Sequence, residues 1–215
     1  MAHFPASPRP TDTIWGVPDD AAQVVPGIWE VGTPSHGGLV LSPERAASMP
    51  EALALNGCSY EEDVDWCLPV LAFEAEFTAS RTPGAAARTR LAHDFARNWH
   101  PDRYERFTGK PVEIKDSYVK KRRAAREALV GQLVVTSAYG SWADWVPEGK
   151  VGVVGRLLER VDYLGNSHFT GPPIQALVDA DRYDSSREVN GFDAIGAVPF
   201  EAETPAPPTK EVALP

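Results

Sequence analysis

Two groups of β-forming runs flank a helical middle, and that order constrains the fold more than any other feature of the chain. Ile28-Trp29-Glu30-Val31 and Leu39-Val40-Leu41 are short and rich in β formers. Between them lies Gly32-Thr33-Pro34-Ser35-His36-Gly37-Gly38, which has turn chemistry throughout. The pattern predicts a β-hairpin with a longer loop. After Gly131 the β character returns in Leu133-Val134-Val135-Thr136 and Val151-Gly152-Val153-Val154, linked by a loop holding Trp142, Trp145 and Pro147. A further strand pair is expected around Leu164-Gly165-Asn166-Ser167. Strands at both ends with helices between them predict an α+β fold, with the helices packed on one face of a mainly antiparallel sheet.

The helices carry their own boundary signals. Ser42 is a predicted N-cap, with Pro43 at the first helical position and Glu44 in the first turn, where the helix dipole favours an acid. Ser59-Tyr60-Glu61-Glu62 has capping-box spacing, which predicts a helix bearing Val64, Cys67, Leu68, Leu71 and Ala75, with a break at Pro69. Residues 85–99 predict a helix with Leu91, Phe95 and Trp99 on one stripe. Residues 116–130 predict another, closed by Gly131. With 215 residues, the chain is long enough for one domain with arms. Residues 1–20, rich in Pro, Ser, Thr and Asp, read as a flexible N-terminal arm. Residues 21–198 read as a single α+β domain, and 199–215 as a Pro-rich C-terminal tail. Both arms are expected to contribute little to stability, since they offer few apolar side chains.

Charge is distributed unevenly. Residues 1–80 contain 12 acidic and 2 basic side chains, residues 81–126 contain 5 and 13, and the whole chain is at −9. One basic segment therefore sits in an acidic protein, whereas a duplex-binding domain is usually basic as a whole. Lys120, Lys121, Arg122 and Arg123, with Arg126, are the candidates for a nucleic-acid contact. Four consecutive charges cover every face of a helix, so solvation is the favoured role and nucleic acid is not the favoured partner. No apolar run approaches the length that spans a bilayer, so no membrane partner is expected. Cys58 and Cys67 do not make a disulfide framework, which suits a reducing compartment and a cytoplasmic location.

Candidate chemistry centres on His36 in its glycine-flanked loop, where an imidazole is suited to acid–base work near neutrality. On a helix starting at Ser59, Glu61 and Asp65 would share a face, and packed beside the hairpin loop they would complete a small polar cleft with His36. Acids in a first helical turn need no functional cause, and a lone His in a turn is commonly just a turn residue. No His-Glu-x-x-His, Gly-x-Ser-x-Gly or phosphate-loop pattern is present. His93 and His100 are two helical turns apart and are expected on the surface. No metal and no cofactor is expected from these spacings. Trp29, Trp66 and Trp99 read as core. Trp142 and Trp145, beside Tyr139, read either as a mini-core or as an exposed aromatic contact for a protein partner.

Three stretches carry a resemblance: residues 33–45 (Thr-Pro-Ser-His-Gly-Gly-Leu-Val-Leu-Ser-Pro-Glu-Arg), residues 60–66 (Tyr-Glu-Glu-Asp-Val-Asp-Trp) and residues 146–154 (Val-Pro-Glu-Gly-Lys-Val-Gly-Val-Val). Their order resembles an uncharacterised domain-of-unknown-function family of small bacteriophage, prophage and plasmid proteins, over roughly residues 14–185. The resemblance implies a mobile-element accessory protein and supplies no catalytic residues. Two functions are weighed on this basis. The first is an accessory protein that binds a host or phage macromolecule, with counter-defence as one such role. The second is a small hydrolase-like or metal-assisted enzyme using His36, Glu61 and Asp65.

Overall fold

The computed structural model describes residues 4–80 and 84–200. The fold is α+β, with two four-stranded antiparallel sheets rather than one. The chain forms two compact units that divide between Lys121 and Arg122. The expected domain over 21–198 spans both units. Among the described residues, the early and late β runs belong to separate sheets, each set completing its own meander locally.

The first unit begins with β1 (Asp20–Val25), β2 (Ile28–Gly32) and β3 (Gly37–Leu41). The hairpin of β2 and β3 forms as its sequence predicts, with Ile28 opposite Leu41 and Gly32 opposite Gly37. β1 adds to the other side of β2, starting one residue before the expected domain boundary at 21. Ser42 then caps α1 (Pro43–Ala47), its side chain accepting from the Arg45 amide. Ser59 does not start a helix. It opens β4 (Ser59–Glu61), which pairs with β3. The capping-box reading fails because Tyr60 is fully buried at the centre of a short strand, where burying its ring outweighs a local cap. Helix α2 (Cys67–Ala72) begins only afterwards, so Pro69 lies in its first turn, where proline is tolerated. The break falls instead at Phe73, before α3 (Glu74–Ala79).

Helix α4 (Ala85–Trp99) has its predicted bounds, but a different face is buried. Thr89, Ala92 and Ala96 are the buried positions, whereas Leu91 is half exposed. Small side chains let α4 approach α2 closely, and the larger Phe95 packs from the flank against Trp66 at 5.3 Å. Trp29, Trp66 and Trp99 are only partly buried, and Trp99 stacks on Tyr118 at 5.0 Å. α5 (Pro101–Thr108) follows directly after His100.

The core of this unit joins Ile28, Leu39, Leu53, Tyr60, Leu68 and Leu71. At its edge Arg45 is completely buried. Its guanidinium pairs with both carboxylate oxygens of Glu76, donates to the Pro26 carbonyl, and lies against the rings of Phe4 (3.8 Å) and Phe73 (4.5 Å), which also meet each other edge-on. Ser7 accepts from the Trp29 indole at 3.0 Å and from the Gln23 amide. Residues 4–7, expected in a free arm, are thus held by an aromatic–cation stack and by side-chain hydrogen bonds. The part of the C-terminal tail at 201–215 lies outside the described residues.

Cys67 is completely buried, and burial pushes its thiol up to about 12, with the nearby Asp65 charge adding to the effect. Cys58 is exposed. A thiol reagent should therefore label Cys58 within seconds and Cys67 only on unfolding. The folded chain holds a proton at Cys67 that the unfolded chain releases near pH 9. Thermal stability should accordingly fall as pH rises from about 9 toward 12. Two equally fast thiols in the native protein would contradict this placement.

Helix α6 (Tyr118–Glu127) crosses the division between the units and is shorter than the predicted 116–130. The second unit then builds a meander from β5 (Leu133–Tyr139), β6 (Lys150–Val161), β7 (Ser167–Asp179) and a short β8 (Val198–Pro199). β6 and β7 form a long hairpin around the turn predicted at 164–167, and Asp162 accepts from the Leu164 and Asn166 amides there. β7 carries Pro172 and Pro173, which fall where the pairing lapses between Ile174 and Thr170. The glycines of the apolar run in β6 are slots for aromatic rings. A side chain at Gly152 would meet Trp145, and one at Gly155 would meet Phe192 of α7 (Phe192–Ile195). Pro199, expected to open the tail, pairs with β7 alongside Val198 as its edge strand.

Candidate functional site

The loop between β2 and β3 is a closed turn. The Thr33 amide and hydroxyl donate to the His36 carbonyl at 2.8 and 2.7 Å, and the His36 amide donates to the Thr33 hydroxyl. These contacts use only the main chain of His36, which leaves its imidazole exposed. β4 arrives beside this turn because Gly38 is paired with Glu61. The Glu62 amide then donates to the Gly37 carbonyl at 3.0 Å, carrying the register one residue past the strand. Both glycines are required by the close approach. A Cβ at Gly37 would lie 2.6 Å from Glu62 Oε2 and 2.7 Å from the Val31 carbonyl oxygen. Gly38 has φ of +153°, and a Cβ there would lie 2.1 Å from the Tyr60 carbonyl oxygen.

This pairing brings together donor atoms of His36, Glu61 and Glu62, all within 4.8 Å of one another. Glu61 also accepts from the Asp63 amide at 2.7 Å. Asp65, the third member of the site expected from sequence, is elsewhere. Its carboxylate lies 3.1 Å from His100 Nε2, whose side chain is 9% exposed and so is not a surface residue. The shared helical face of Glu61 and Asp65 does not exist, because Glu61 is in a strand and the helix starts at Cys67. Glu62 falls outside the site expected from sequence because capping-box spacing commits it to a helix N-terminus. The usable signal was the strand pairing that places consecutive residues of one chain beside the loop of the other. His93 contacts Tyr104 and Glu74 and takes no part.

A cleft of about 240 Å³ opens beside the cluster, lined by Glu30, Val31, Gly38, Leu39, Glu62, Trp66 and Arg88. Arg88 is held there by both carboxylate oxygens of Glu30, at 2.9 and 3.2 Å. Glu62 is therefore shared between the three-residue cluster and the cleft.

In the second unit, Tyr139 contacts both Trp142 (5.7 Å) and Trp145 (5.5 Å). Trp145 is partly buried over Gly152 and against Phe200, whereas Trp142 is 75% exposed. The two tryptophans thus divide the two roles weighed for them, one packed and one presented to solvent.

The basic run is largely engaged within the protein. Lys120 pairs with Glu105 at 2.7 Å and donates to the Val112 carbonyl. Arg122, Arg123 and Arg126 donate to the carbonyls of Leu164, Tyr163 and Gly165, and Arg126 also pairs with Glu188. Lys121 is exposed.

These features define an α+β domain in which a hairpin loop and its neighbouring strand present one histidine and two glutamates. Residues 8–130 match the family model of a domain of unknown function, DUF7007, and the chain belongs to that family. The match includes the motifs at 33–45 and 60–66, which meet at the cluster, and stops short of the one at 146–154. No curated protein and no solved structure matches the chain. Among the described residues, no helix is long and apolar enough to cross a membrane.

Proposed function

We propose that this is an accessory protein of a phage or other mobile element, acting in the cytoplasm by binding a macromolecule, and that the partner is a protein. The observation that carries this reading is Trp142, a large indole left 75% exposed on an anchored aromatic base. Tryptophan in such a setting is the residue type most enriched among interface hot spots. A counter-defence role fits the same reading. Nucleic acid is the less favoured partner, because the guanidinium groups of the basic run are occupied by main-chain carbonyls.

The test is affinity capture from host cells with wild-type protein and with Trp142→Ala. The substitution should leave the thermal midpoint unchanged and cost about 2 kcal/mol of binding, roughly a thirtyfold loss of affinity for the captured partner. Equal capture by both proteins would remove Trp142 from the contact.

The second reading, a small hydrolase-like or metal-assisted enzyme, is favoured by one observation, the approach of His36 to Glu61 and Glu62. It uses Glu62 in place of Asp65. On this reading His36→Ala abolishes the biological effect with folding intact, whereas an ordinary turn residue would be silent when replaced.

A further inference from the structure

We infer that His36, Glu61 and Glu62 form a binding site for one first-row divalent metal ion, of the kind that takes mixed imidazole and carboxylate ligands. The inference is independent of the protein-partner reading, since it concerns the other unit of the chain.

Spacing is the first argument. The three donor atoms lie within 4.8 Å of one another, yet among the described residues His36 forms no ion pair or hydrogen bond with either glutamate through its ring. The groups therefore stand close together without pairing among themselves. Ions of this class bind nitrogen and oxygen donors at about 2.0–2.2 Å, so two ligands of one ion sit roughly 3–4 Å apart. Rotation about the side-chain bonds of two exposed residues is enough to contract the cluster to that distance.

Charge is the second argument. Glu61 and Glu62 bring two carboxylates to one spot, and among the described residues no lysine or arginine forms an ion pair with either. Arg88, which lines the same cleft as Glu62, is already engaged by Glu30. A divalent cation neutralises that pair of charges. The imidazole sets the choice of ion: an all-oxygen site suits magnesium or calcium, whereas one nitrogen with two carboxylates suits zinc, manganese, iron(II) or cobalt(II).

Backbone placement is the third. His36 is fixed by the Thr33 turn, and Glu61 by its pairing with Gly38. Glu62 is fixed by the hydrogen bond its amide donates to the Gly37 carbonyl, so the three Cα positions are set before any ion arrives. Three protein ligands leave coordination positions for water on the exposed side, the arrangement of an open rather than a closed structural site.

The experiment uses the full chain, freed of metal by a chelator and titrated with Co²⁺, followed by its visible absorption and by calorimetry. One Co²⁺ per chain is expected. His36→Ala and Glu62→Gln should each weaken binding at least about tenfold, a loss of the size seen when a metal site is perturbed. Asp65→Asn should leave it unchanged, because Asp65 faces His100. In a parallel titration, Mn²⁺ should broaden the His36 ring resonances selectively. Circular dichroism identical to wild type checks folding, which the exposure of His36 and Glu62 leads us to expect. Absence of stoichiometric binding, or binding of equal affinity in the His36 and Glu62 variants, overturns the site.

Discussion

Arg45→Ala is expected to destabilise the first unit by about 3–5 kcal/mol, the cost of breaking a buried ion pair by removing one partner. The side chain is completely buried, and its loss leaves Glu76 facing a vacated space beside Phe4 and Phe73. Glu76 is 30% exposed and regains some hydration, which places the effect toward the lower end of that range. Denaturant unfolding of the variant measures it directly. Arg45→Met should be milder, because an apolar chain of similar volume fills the same slot. Phe4→Ala should cost about 1–2 kcal/mol through the lost stacking on the guanidinium. A wild-type midpoint for Phe4→Ala would mean that the Phe4 ring does not anchor the N-terminal segment.

Gly38→Ala should be at least as damaging. The substitution demands a left-handed backbone at φ of +153° and places a methyl group 2.1 Å from the Tyr60 carbonyl oxygen on the paired strand. Strain of this kind costs about 1–3 kcal/mol, and overpacking adds a similar amount. The collision is with main chain, so no side-chain rotation relieves it. β3 and β4 should separate, and with them His36 from Glu61 and Glu62. The variant should therefore lose stability and Co²⁺ binding together. Gly57→Ala is a suitable comparison: it also has positive φ but open space around it, and lies away from the cluster. It should lose some stability and keep the ion. A Gly38→Ala protein as stable as wild type would mean that β4 does not pair as described.

Several elements were determined by local chemistry and were legible without the fold. The hairpin of β2 and β3 follows from two β-rich runs around a turn-forming loop. α1 follows from Ser42, Pro43 and Glu44, and the long β6–β7 hairpin follows from the turn at 164–167. In each case the information lies within about ten residues, so pattern and structure agree. The α+β class followed for the same reason.

What depends on distant partners was decided only by tertiary structure. Ser59-Tyr60-Glu61-Glu62 satisfies a capping box locally, yet Tyr60 buries its ring and β3 offers an open edge, so the segment is a strand. That single change moved Asp65 to His100 and brought Glu62 to His36, and no spacing rule written for helices finds the resulting triad. α4 shows the same limit: its large residues suggested one face, and close approach to α2 selected the small ones. Nothing in the local sequence marks Arg45 for burial. It became a buried anchor because a carboxylate from α3 and an aromatic ring from residue 4 converge on it. Periodicity reports how a segment presents itself. Which surface, carboxylate or ring it meets is set by the rest of the chain.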